Sequence, residues 1–160
     1  MSQLSWGQCT LYFSPSEDGV PTGDWTELDI PKEDTTKITA TAGTETTAVE
    51  EGGGLVDVRT GKNTYQFEFD LFVKKGVDRP FTDDDGIIDG EWSFRIIPED
   101  TACEGALIER STLRVEESYS TTDGKLLHYV ARCLRPASGK TVKPYTLGED
   151  EETDTTETTE

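Results

Sequence analysis

The chain has 160 residues, 33 acids against 15 bases and a formal net charge of −18, a length that suits one domain with enough material to bury a core. The final twelve residues, EDEETDTTETTE, hold seven of the acids and no base, and the remaining 26 acids against 15 bases still leave −11. So acidic a body is poorly suited to gripping nucleic acid or an anionic membrane surface, because phosphate contacts depend on Lys and Arg.

From the N-terminus, MSQLSWGQCTLYF has neither a basic leader nor a small-residue cleavage site, and no apolar run nears the roughly 18 residues of a membrane span. The expectation is a chain made and kept in a cytosol, with no membrane partner. Strand signals then recur along the chain: 7–13, 25–30, 36–42, 45–51, 54–59, 65–73, 91–97, 107–119 and 125–134 are rich in β-branched and aromatic residues. The breaks between them carry turn chemistry, as in SPSEDG, GGG, TGKN, KKG, TDDDGIIDG and TTDG. These signals predict an all-β fold, a two-sheet antiparallel β-sandwich or barrel. One short flanking helix is expected near PEDTACEG (98–105), with Pro98 in its first turn, Glu99 and Asp100 at its positive end and Gly105 ending it. The domain is expected to span 1–148, followed by an acidic disordered tail, 149–160.

Four stretches stand out. The threonine-rich segment TTKITATAGTETTAVEEGGG (35–54) supplies almost nothing large enough for a core, and reads as a long hairpin or extended loop poorly held in a lone monomer. In NTYQFEFDLFVKKG (63–76), Tyr65, Phe67, Phe69 and Leu71 share one face and Gln66, Glu68 and Asp70 the other, the pattern of a half-buried strand. In KLLHYVARCL, Leu127, Tyr129, Ala131 and Cys133 alternate with Leu126, His128, Val130 and Leu134, so both faces call for a cover, from the short helix or from another subunit. The terminal arms carry Trp6, Tyr145 and Leu147, which look like anchors for a neighbour.

The chemistry of an enzyme is not expected. The single histidine, His128, lies inside a strand, and GGG at 52–54 is not followed by the GK[ST] of a phosphate loop. Cys9, Cys103 and Cys133 are odd in number, widely spaced and free of CxxC, which reads as buried thiols rather than a disulfide framework or zinc site. DDDGIIDGE (83–91) has the look of a calcium loop, but with Gly86 at the sixth position the first and twelfth ligands would be Phe81 and Trp92. A solvated acidic turn is the preferred reading, with fortuitous cation binding left open. No cofactor is expected.

The order of TTKITATAGTETTAVEEGGGLVDVRTGKNTYQFEFDLFVKKG, an acidic loop ending in EWSFRIIPED, and STLRVEESYSTTDGKLLHYVARCLRP resembles tail tube proteins of long-tailed bacteriophages over roughly residues 5 to 147. That resemblance implies a β-sandwich or barrel with a flanking helix, shared with tubes of contractile secretion systems. It implies hexameric rings stacked into a hollow tube, assembled in the host cytoplasm and carried in the virion, with tape-measure and tail terminator or tip proteins as partners. DNA would pass through without specific binding. Gln66, Glu68 and Asp70 would then face the lumen, where negative walls repel phosphates. Thr36, Thr39, Thr41, Thr44, Thr46, Thr47 and Val49, with Leu126, His128, Val130, Trp6 and Tyr145, would form subunit and ring interfaces. Two other readings stay open: a tube subunit of a bacterial contractile injection system, and a β-sandwich module for carbohydrate binding or adhesion.

Overall fold

Aromatic side chains from strands far apart in sequence meet at the centre of the protein. The computed structural model describes residues 3–147, and within them the fold is all-β and antiparallel. Eleven strands form: β1 (Thr10–Glu17), β2 (Val20–Pro21), β3 (Thr26–Glu27), β4 (Lys37–Thr41), β5 (Glu45–Val49), β6 (Leu55–Thr60), β7 (Thr64–Phe72), β8 (Ile87–Ile97), β9 (Gly105–Ser120), β10 (Gly124–Cys133) and β11 (Val142–Tyr145). Nine belong to one sheet with the path β2-β1-β8-β9-β10-β7-β4, β11 pairing β9 and β3 pairing β1, while β5 and β6 form a separate two-stranded hairpin.

One nine-stranded sheet therefore forms the body, beside the small two-stranded one, and it folds over on itself. β7 and β8 are three strand steps apart along the path, about 14 Å if the sheet were flat, yet the rings of Phe67 and Phe94 lie 5.3 Å apart. Phe69 stacks on Tyr129 at 5.2 Å and meets Phe94 at 6.0 Å. The half built on β1 and β8 thus covers the half built on β7 and β10. The alternating residues Phe67, Phe69 and Leu71, with Leu127, Tyr129, Ala131 and Cys133, are all buried there, as their period-2 spacing predicts.

β9 is the spine. One edge pairs β8, and the other pairs β11 through residues 105–108 and β10 through 111–120. The β8–β9 register slips between Trp92 and Phe94, a bulge that leaves the Glu109 carbonyl outside the regular ladder. Two hydroxyls take it up: Ser16 and Ser93 donate to it at 2.8 and 2.7 Å. This explains the wholly buried Ser93, a polar residue in an otherwise apolar setting. The β1–β2 turn is Asp18–Gly19, both at positive φ (53° and 79°), the two-residue geometry that matches strand twist. A Cβ at Gly19 would stand 2.7 Å from the backbone nitrogen of Ala137, so the turn fits only with glycine there.

Two expectations are corrected. Among the described residues no helix forms, and 98–104 is a turn: the Asp100 carboxylate accepts from the Ala102 N–H at 3.1 Å and its carbonyl from the Cys103 N–H at 2.9 Å. An aspartate near a proline serves a side-chain-closed turn as well as a helix start, and Gly105 opens β9 instead of ending a helix. The C-terminal arm is also not free. Its residues 142–145 are β11, and Tyr145 is buried against the body, its ring 5.0 Å from the Arg95 guanidinium, which also sits 4.1 Å over Trp25. The tail 149–160 lies outside the described residues.

Candidate functional site

The outer face of β9, β10, β7 and β4 gathers the polar side chains of four strands. Cross-strand partners share a face, and the register sets His128 opposite Asp70 and Glu116, Val130 opposite Glu68 and Arg114, and Arg132 opposite Gln66 and Thr112. Lys37 pairs with Glu68 and Thr39 with Gln66 on the far side of β7. Gln66, Glu68, Thr112, Arg114, Glu116, His128, Val130 and Arg132 line a shallow depression of 260 Å³ on this face.

His128 is the centre of it. Its Nδ1 is hydrogen-bonded to Asp70 Oδ1, and its Nε2 lies 3.3 Å from Glu68 Oε1. Both carboxylates are only 15% exposed, and Glu68 is further approached by Lys37 Nζ at 3.7 Å. Arg114 is engaged by Glu116 at 2.9 Å. The face thus carries three acids (Glu68, Asp70, Glu116) and three bases (Lys37, Arg114, Arg132) around one histidine, and is close to charge balance.

This arrangement joins two groups that the sequence assigned to different roles. Gln66, Glu68 and Asp70 were expected on a lumen, and Leu126, His128 and Val130 at a subunit interface; all six occupy one continuous face. The carboxylates are ion-paired across the strands rather than open to water. Lys37, Arg114, Glu116 and Arg132 were not singled out in the sequence, and only the strand register reveals them.

The second site is the β5–β6 hairpin. Every residue from Thr44 to Thr64 is exposed, including Thr44, Thr46 and Thr47, so the hairpin stands away from the body. It presents Val49, Leu55, Val56 and Val58 at 59, 60, 64 and 42% exposure. The threonine-rich segment is in fact divided: Lys37–Thr41 is β4, a member of the main sheet paired to β7 with Ile38 packed on the core and Thr39 and Thr41 exposed, and only the part beyond Ala42 projects. Its partner strand β6 lies beyond the boundary expected at residue 54. Gly43 and Gly61 form the base, where the Gly61 N–H donates to the Thr44 carbonyl at 2.8 Å and a Cβ on Gly43 would stand 2.4 Å from Gly61. Of the remaining expected interface residues, Trp6 is exposed and Thr36 half-buried beside Cys9.

The acidic loop closes on itself: Asp83 Oδ2 accepts from the Gly86 N–H at 3.0 Å, and Asp84 and Ile87 form a bridge. Among the described residues no cluster of three or more His, Cys, Asp or Glu side chains is placed to hold a metal ion. No family model matches the chain, and no curated protein matches it.

Proposed function

We propose that this protein is the structural subunit of a bacteriophage tail tube, forming hexameric rings that stack around a passage for DNA. The observation that carries the reading is the projecting β5–β6 hairpin. An isolated two-stranded hairpin is marginal in water, and this one displays four large aliphatic side chains to solvent and buries none of them against the other described residues. Such a surface calls for a cover, and a neighbouring copy of the chain supplies one at fixed stoichiometry. β4 adds to this: among the described residues it ends the sheet path with one edge unpaired, a hydrogen-bonding row that an adjacent subunit would satisfy. The wall of the passage is assigned to the outer face of β9, β10, β7 and β4. Three bases stand against three acids on that wall, so its net charge rests on the protonation of His128 and is at most one positive charge per subunit, a weak attraction for DNA.

The test is excision of the hairpin, residues 44–60, joining Gly43 to Gly61. The two ends already touch, and no buried side chain is lost, so the monomer should keep its stability to within about 0.5 kcal/mol. The parent protein should give rings or hollow tubes by negative-stain microscopy at high concentration, and the excised protein should sediment as a monomer under the same conditions. A parent that stays monomeric at about millimolar concentration, or an excised protein that assembles as the parent does, would overturn the assignment.

A further inference from the structure

We infer that His128 is a proton-operated clasp between β7 and β10: it is held as an imidazolium at neutral pH with one carboxylate on each ring nitrogen, and it lets go as the pH rises. This stands whether or not the chain builds a tube.

The argument is first one of hydrogen-bond inventory. A neutral imidazole has one N–H and one lone pair, whereas an imidazolium has two N–H groups. Asp70 Oδ1 is bonded to Nδ1, and Glu68 Oε1 faces Nε2 at 3.3 Å. Ionised carboxylates only accept, so a neutral ring would set a nitrogen lone pair against a carboxylate oxygen whichever tautomer it chose. Two protons satisfy both contacts.

The surrounding charges agree. Of the groups facing the ring, β7 supplies Glu68 and Asp70, β9 supplies Glu116 and Arg114, β4 supplies Lys37, and β10 itself supplies Arg132. Arg114 is taken up by Glu116, Lys37 reaches Glu68 with a largely exposed side chain, and Arg132 stands opposite the uncharged Gln66 and Thr112. Burial is the largest single influence and pushes the ring towards neutrality. The hydrogen bond to Asp70 and the charges of Asp70, Glu68 and Glu116 together outweigh it, so the ring titrates above its ordinary value of 6.5. The folded state therefore holds the proton more tightly than the unfolded chain does. Its stabilising contribution is complete below about pH 6.5 and is lost as the pH climbs through the folded value. Because the other charges on the face cancel, this proton also sets the sign of the face: positive when the clasp is closed, neutral when it opens.

The chain has one histidine, so a proton NMR titration of the dilute full-length protein reads His128 without assignment. The expected result is a midpoint above 6.5 with both ring nitrogens protonated at neutral pH, and a downward shift in both Glu68→Gln and Asp70→Asn. In urea unfolding, the wild type should lose stability as the pH rises from about 6.5 through the folded midpoint. His128→Asn should flatten that slope. A ring that is mainly neutral at pH 7 overturns the inference. So does a His128→Asn protein that keeps the wild-type slope.

Discussion

The claim that one sheet doubles back on itself can be tested through the pair Phe67 and Phe94. On a flat sheet these strands would be about 14 Å apart and the rings could not touch; in the folded sheet their centroids are 5.3 Å apart at an interplanar angle of 60°. Phe67→Leu and Phe94→Leu keep most of the side-chain volume while removing the ring contact, so each should cost about 1 kcal/mol, small against a domain stability of roughly 5–15 kcal/mol. Tilted aromatic pairs contribute about 0.5–1.5 kcal/mol beyond area burial, and that is the coupling expected from the double-mutant cycle. Both residues are wholly buried, so solvent screening does not dilute it. Urea unfolding followed by fluorescence of the half-buried Trp25 and Trp92 gives the four stabilities. Residues not in contact add to within about 0.3–0.5 kcal/mol, so strict additivity would mean that the rings are apart and that the fold-over is wrong.

The thiol of Cys133 is pushed up to about 12 by burial between β10 and the core, so at about pH 8 an alkylating reagent should leave it unmodified until the protein unfolds, as mass spectrometry of the labelled peptides would show. The two hydroxyls on the Glu109 carbonyl should be redundant: Ser16→Ala and Ser93→Ala should each cost about 1 kcal/mol or less. In chemical denaturation the double variant should cost more than their sum, because the folded carbonyl then loses both hydroxyl donors while the unfolded one is hydrated.

What the sequence disclosed was local. The spacing of Phe67, Phe69 and Leu71, and of Leu127, Tyr129, Ala131 and Cys133, put the right residues in the core because strand periodicity is a property of the chain alone. The same alternation set Glu68, Asp70 and His128 on non-core faces. It could not bring them together, since that needs β10 to lie beside β7 in one register, and pairing partners are chosen by the whole fold. The helix at 98–105 was misread because Pro98 and Asp100 serve either structure, and eight residues are too few for helix propensity to decide. Tyr145 looked unpartnered for a related reason: its partner Gly105 lies 40 positions earlier, with no local pattern to announce it. The exposure of Val49 and its neighbours was legible because, among the described residues, the hairpin buries nothing against the rest of the fold.

The placement of β9 at the centre has a consequence for how the chain is made. β8, β9 and β10 follow one another and can pair as they leave the ribosome. β1 cannot: its partner β8 begins at Ile87, 70 residues after β1 ends at Glu17, an interval of about 4 to 14 seconds at ordinary rates of synthesis. β7 waits likewise for β10. Until β8 and β10 emerge, β1 has only the short strands β2 and β3 beside it and β7 has only β4, so Leu11, and then Phe67 and Phe69, lack the strands that complete their core, and the period of greatest exposure to chaperones and to stray association falls before β10 has appeared.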